Sequence, residues 1–422
     1  MKKTFYLPFI SLSLLLLGCG LFWFKNIFSA PVNQDEVAWV LDARFYQFRQ
    51  QKQWEKFVLT DHSLTMGWSH DQYRLIDQPQ LGKYIYGLVI KFFNLNPWDT
   101  DQSIFLYRQF AIGKLNLGFL NNIKEYPDLR DSIYVLRIFG SIVSFISIAV
   151  FGIGIYFLTK SKITGGLTSV LLFFHPTLYF LYRFAIPNNF QILLTILALS
   201  LMFYLLNRIK TLGLKKKVLW VLLGVLIACA TSIKLNGVLI LVFPILLWLI
   251  QEIKALFSQE EIIPNVFNKF RAYLFLCGGF ITTFYFLEPE LWGQPLRGLR
   301  LLFTARLVQH RRFLIFFEDY SFFETIWFLL IQFLKISNLL IIKILFVFFL
   351  LRGIIIIFDK LSDLRWLNLG LLILLVVISN TYYANVGIHR YAEWSIYAFS
   401  LLSALGVVDF FRILYNKIKQ LW

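Results

Sequence analysis

The feature that most constrains this chain is the recurrence of apolar runs about twenty residues long, the length an α-helix needs to cross a hydrocarbon core of ~30 Å. Such runs are read at about 5–24, 132–158, 163–183, 188–206, 218–232, 235–250, 269–288, 338–358, 366–384 and 391–409. Fifty-eight percent of residues are hydrophobic and only 15% charged, outside the range of soluble domains. The expected fold class is an all-α integral membrane bundle of about ten spans, forming a single domain over residues 1–422.

The net charge of +17 would point to nucleic acid in a soluble chain. Here the positive-inside rule accounts for it, and no nucleic-acid partner is expected. Lys160 and Lys162 fill one gap between spans, Arg208, Lys210 and Lys215 to Lys217 another, and Lys360 and Arg365 a third. Arg412, Lys417 and Lys419 mark the tail. With those gaps cytoplasmic, both termini lie inside a cytoplasmic (plasma) membrane and the intervening loops face out.

The opening "MKKTFYLPFISLSLLLLGCG" has the look of a lipoprotein signal. Leu17 fits poorly before Gly18-Cys19, however, and the apolar run continues through "LFWF", so a retained first span is expected. Cys19, Cys229 and Cys277 lie in apolar runs without metal-ligand spacing, so neither a disulfide framework nor zinc is implied. The stretch 218–250 is interrupted by "SIKLNG". One continuous helix would place Lys234 near the bilayer centre at roughly 3 kcal/mol. Two short helices meeting at an outer turn avoid that cost.

Two outer regions are large. Residues 25–131 hold no full span, although "LGKYIYGLVIKFF" (81–93) is apolar and suits an interfacial helix. Residues 289–337 hold an arginine-rich segment and then an aromatic, interfacial-looking stretch at 321–336. In the first of these regions Asp35 and Glu36 stand just beyond the first span. Such acids either mark the non-cytoplasmic boundary or supply a general base to a hydroxyl acceptor. Further on, Asp77 and Pro79 open a turn and Lys83 sits one turn into the short helix. That lysine either meets a phosphate at headgroup depth or snorkels from a surface helix.

"DE" after the first span, followed by "DQPQLGK" (77–83), resembles the protein O-mannosyltransferases and their bacterial relatives, including the lipid A aminoarabinose transferases. "YRFAIPNN" (182–189), "SIKLNG" (232–237), "EPELWGQP" (288–295) and "HRY" (389–391) follow in the same order. The resemblance implies a GT-C fold whose first external loop forms the active site. It also implies transfer, with inversion, of a sugar (mannose foremost) from a polyprenyl-phosphate donor. The acceptor would be a protein, lipid or glycan hydroxyl outside the membrane, and no cofactor is implied. Carried over, Asp35 would be the catalytic base, Glu36 its partner and Lys83 a contact to the donor phosphate. Asp77, Asn188, His389 and Arg390 would support the motifs or the acceptor. Three positions depart from the pattern: Gln78 and Gln80 replace His and Pro, Asn188 stands where many members carry an acid, and Glu288 replaces Asn before Pro289.

The chemistry holds together without the resemblance. A polyprenyl phosphate leaves readily, so the acceptor needs a base and the departing phosphate needs cations. Lys234 and the outer-loop arginines Arg297, Arg300, Arg306, Arg311 and Arg312 are available. At ~100° per residue, Arg297, Arg300 and Arg311 fall within about 60° on one helix face. They either bind that phosphate or contact anionic headgroups. Asp99-x-Asp101 in "WDTDQS" offers the spacing of a metal-dependent oligosaccharide transferase, a rival reading. A lipid-carrier transporter is the other, but it would place ionisable residues at mid-membrane between repeated halves. His175, before Pro176 inside a span, reads as a polar contact beside a kink rather than a ligand.

Overall fold

In a computed structural model, the structure describes residues 27–60, 74–75, 78–98, 118, 126–206, 214–258, 263–316, 321–384 and 393–421. These residues contain no β-strand, in keeping with the all-α class expected. The first part of the described chain contributes α1 (Gln34–Asp42), α2 (Phe45–Gln50) and α3 (Gln80–Phe92), with a 3₁₀ turn at Trp54–Phe57 between the last two. A long α4 (Pro127–Thr159) follows, then α5 (Lys162–Phe173), α6 (Pro176–Tyr182), α7 (Asn188–Leu206) and α8 (Leu214–Thr231). Next come α9 (Val242–Ser258), α10 (Ile263–Leu287), α11 (Pro295–Phe316) and α12 (Phe322–Leu334). The described chain ends with α13 (Leu340–Asp359), α14 (Leu364–Ala384) and α15 (Glu393–Leu421).

Helix occupies each expected span that lies among the described residues; the first, 5–24, lies outside them. Among the described residues, five helices have the length and apolarity to cross a bilayer alone, and six do if the bent pair α5–α6 counts as one span. The expected count of ten is not reached on that criterion among the described residues. Residues 235–250, α12 and the apolar part of α14 are shorter apolar helices.

Local chemistry explains the breaks. The α5–α6 pair bends by 64°. Pro176 sits at the first position of α6, where a missing N–H costs nothing, and cannot continue α5. His175, in the elbow, places Nε2 3.0 Å from the carbonyl oxygen of Phe333 in α12. It is a kink-side polar contact, as the sequence indicated. At "SIKLNG" the chain leaves α8 and re-enters through a 3₁₀ turn at Leu235–Leu241, so Lys234 sits in a break. An added Cβ at Gly237 would lie 2.6 Å from the Thr231 nitrogen, so the return passes too close for any other residue.

The spans pack backbone against backbone where glycine allows it. An added Cβ at Gly353 would overlap the Leu402 carbonyl oxygen, and one at Gly406 the Phe349 carbonyl, so α13 and α15 interlock through two glycines. The largest core joins α4, α5, α6, α12, α13 and α15 around Ile148, Tyr182, Phe333, Ile396 and Leu402. A second core lies above it, where α1 and α3 pack through Val37, Trp39, Tyr86 and Ile90 onto Ile133 and Leu136 of α4 and Phe184 to Ile186.

Candidate active site

The two opening acids have different fates. Asn33 caps α1: its side chain accepts from the Asp35 N–H at 2.8 Å, and its own N–H donates to Glu36 Oε2 at 2.9 Å. The capping box places Asp35 and Glu36 in the first turn, where the helix dipole favours negative charge. Glu36 turns inward and is fully buried. Arg137 of α4 grips it with Nε at 2.7 Å from Oε1 and Nη2 at 2.6 Å from Oε2. The Ala185 N–H donates to Oε1 at 2.6 Å. Arg137 spends its other protons on the carbonyls of Ile27 (3.1 Å), Ala30 (2.9 Å) and Pro31 (3.0 Å). Four donors thus saturate the Glu36 carboxylate, which leaves no lone pair for an acceptor proton. Asp35, beside it, is only half-buried.

The "DQPQLGK" segment is assembled by distant chain. At the start of α3 the Gln80 N–H donates to the Glu288 carboxylate at 3.1 and 3.3 Å. The Leu81 N–H donates to the Ser232 carbonyl at 2.7 Å. An added Cβ on Gly82 would press at 3.2 Å on Pro187 and at 3.3 Å on the Trp39 ring. Four motifs far apart in sequence therefore meet at this helix terminus. The departures at Gln80 and Glu288 also meet each other: a proline at 80 has no N–H to give, whereas glutamine supplies one and Glu288 accepts it.

Lys83, expected at the donor phosphate, is fully buried. Its ammonium donates to the Arg74 carbonyl at 2.7 Å and the Leu75 carbonyl at 3.3 Å, and lies 4.8 Å above the centre of the Phe45 ring. Arg74 is itself held in a buried ion pair with Asp42, Nη2 to Oδ2 at 2.8 Å. Lys83 thus fastens the chain that enters the motif. Beneath it lie two buried carboxyls, Glu288 and Glu290, hydrogen-bonded to each other. Burial, and then the Glu290 charge, push Glu288 well above the ordinary carboxylate range; burial also raises Glu290. Gln80 Nε2 donates to Glu290 Oε1 at 3.2 Å.

The remaining expected residues are scattered. Lys234 is half-buried at the head of its 3₁₀ turn, and two residues on Asn236 bonds the Gln191 side chain of α7. Asn188 opens α7 half-buried; its neighbour Asn189 is buried, with neither amide atom hydrogen-bonded among the described residues. Arg297 and Arg300 are exposed on the first turns of α11, with Arg297 Nη1 3.0 Å from Gln294 Oε1. Asp77, Asp99, Asp101, His389, Arg390 and the side chain of Arg311 lie outside the described residues. Among the described residues no cluster of His, Cys, Asp and Glu is arranged to hold a metal ion.

Arg137 and Glu290 were missed in the sequence. Arg137 carried a signal, an arginine within an apolar run, which calls for a named partner; Glu290 carried none.

A groove runs between α7, α14 and α15. One end is polar, with Gln191, Asn236 and Asn380. It continues past Leu199, Val376 and Trp394 into an apolar stretch lined by Ile155, Leu158 and Leu372.

Among solved structures the chain is similar to the archaeal oligosaccharyltransferase AglB from Archaeoglobus fulgidus in complex with an inhibitory peptide and a dolichol-phosphate, at 12% identity and a TM-score of 0.45 over 82% of this chain and 44% of that one. It is also similar to the Archaeoglobus fulgidus oligosaccharyltransferase in complex with Zn and sulfate, at 13% identity and a TM-score of 0.45 over 81% and 42%. The chain thus spans less than half the length of these structures. No curated protein matches it. A model of the dolichyl-phosphate-mannose-protein mannosyltransferase family matches residues 68–287, more than half of the chain and the stretch that carries "DQPQLGK", "YRFAIPNN" and "SIKLNG". The chain belongs to the dolichyl-phosphate-mannose-protein mannosyltransferase family.

Proposed function

We propose that this membrane enzyme transfers mannose from a polyprenyl-phosphate donor to a hydroxyl acceptor on the outer face of the cytoplasmic membrane, with inversion and with Asp35 as general base. One observation carries the assignment of the base. Glu36 is saturated by Arg137, Ala185 and Asn33, and so fixes the helix turn that presents the half-buried Asp35. The acceptor oxygen attacks the anomeric carbon as the bond to the phosphate oxygen breaks. Its proton passes to the Asp35 carboxylate, and the polyprenyl phosphate leaves with the electron pair. Base catalysis of this kind contributes about 10²–10⁴-fold.

Under this reading Glu36, Arg137 and Lys83 are positioning residues, because each is fully buried and bonded to protein. Lys234 and Arg300 are the described cations best placed to meet the departing phosphate, one in the break beside the groove and one exposed on α11. The polyprenyl chain descends the groove between α7, α14 and α15, whose polar-to-apolar gradient suits a phosphate head above an isoprenoid tail.

Transfer from a short-chain polyprenyl-phosphate mannose by the purified enzyme, with product anomeric configuration read by NMR, tests the reaction. A retained configuration would rule out the single displacement, and strong chelator inhibition reversed by manganese would move the chemistry to a metal. A cysteine at position 55 that resists impermeant thiol reagents in intact cells, while one at 216 reacts, would reverse the orientation.

A further inference from the structure

A second outer-face cavity of about 500 Å³ opens between the two external regions. The 3₁₀ turn Trp54–Phe57 and its exit form one wall, and residues 289–298 form the other. Trp54 and Trp292 meet across it with ring centroids 5.0 Å apart, and stay 39% and 38% exposed. The Trp292 ring is held in place, its Nε1–H donating to the Tyr285 carbonyl at 2.7 Å. Glu290, only 5% exposed, forms part of the lining; Gln80 satisfies its Oε1, while Oε2 accepts from no amide, hydroxyl or cationic donor among the described residues. Gln294 and Arg297, hydrogen-bonded to each other, complete the polar side.

We propose that this cavity binds a neutral carbohydrate, the sugar portion of a glycosylated acceptor; calling the bound sugar an acceptor rests on the transferase reading above. The size is that of a small-molecule pocket rather than of an extended peptide groove. Sugars present two kinds of surface at once. Their C–H faces are apolar and flat, and stack on exposed indole rings. Their hydroxyls both donate and accept, which matches a carboxylate oxygen, an amide and a guanidinium on one wall. A lipid phosphate is disfavoured, because Glu290 places carboxyl oxygens in the lining. Simple membrane anchoring by interfacial tryptophan does not require a buried acid in the same lining.

The test uses the full-length enzyme in nanodiscs without donor. A panel of neutral disaccharides, mannobiose, lactose, cellobiose and diacetylchitobiose, is titrated while tryptophan emission is followed. A saturable change with at least one sugar is expected. It should be reduced in Trp54→Phe and in Trp292→Phe, lost in the double variant, and weakened on the order of 10-fold in Gln294→Ala, whose exposed side chain carries no folding role. No response to any sugar, or an identical response in the double variant, overturns the proposal. So does quenching of both indoles by brominated acyl chains, which would mark them as interfacial anchors. The two readings fail separately: loss of saccharide binding with transfer to a peptide intact removes only the carbohydrate site. Saccharide binding without donor turnover leaves the cavity in place and removes the acceptor role.

Discussion

Arg137 holds both oxygens of Glu36, 101 residues away, at 2.7 and 2.6 Å, and neither side chain is exposed. The pair ties the first helix beyond the membrane to a long transmembrane helix. Through the Ala185 N–H it also gathers the "YRFAIPNN" segment. Removing one member leaves a buried charge without its partner, at a cost of about 3–5 kcal/mol. Arg137→Ala should therefore lower the unfolding temperature in detergent and abolish activity. Arg137→Lys should rescue only in part, since an ammonium cannot span both oxygens. The double variant Glu36→Gln with Arg137→Met should unfold at a higher temperature than Arg137→Ala alone; equal or lower stability would mean that the charge pair is not what holds this junction.

Asp35→Asn keeps the shape of the side chain and removes the base. Turnover should fall about 10²–10⁴-fold, with donor KM and unfolding temperature close to the parent's. Near-normal turnover would reduce Asp35 to a boundary marker on the outer face.

Lys83 separates a positioning role from a binding one. The Lys83→Ala change leaves the Arg74 and Leu75 carbonyls short of a charged donor, a loss of about 1.5–3 kcal/mol. Lower thermal stability should accompany the loss of activity. A variant with normal stability and only a raised donor KM would place the ammonium at the phosphate instead.

Glu288 gives a pH prediction with a definite sign. Its folded pKa is raised by burial and by Glu290, so the folded enzyme keeps a proton that the unfolded chain releases above about pH 4.3. Proton uptake on folding means that this contribution to stability is full at low pH. It is lost as pH rises through the window ending at the raised pKa. Glu288→Gln can still accept from the Gln80 N–H and donate to Glu290, without titrating. The variant should show a flatter dependence of unfolding temperature on pH, and should exceed the parent at alkaline pH. Parallel curves for the two proteins would show that Glu288 is ionised at all those values.

The sequence alone determined the all-helical membrane class, the placement of most helices, the break at Lys234 and the bend at Pro176. It also drew attention to Asp35 and Glu36. These follow from quantities that are local along the chain: hydropathy over about twenty residues, and the backbone limits of proline. Only the tertiary structure decided which acid faces inward, that Lys83 lies buried beneath the loop, and that Gln80 and Glu288 compensate each other. Such pairings join residues 101 and 208 positions apart. They depend on the rotational phase and depth at which separate helices pack, and no window along the chain records these.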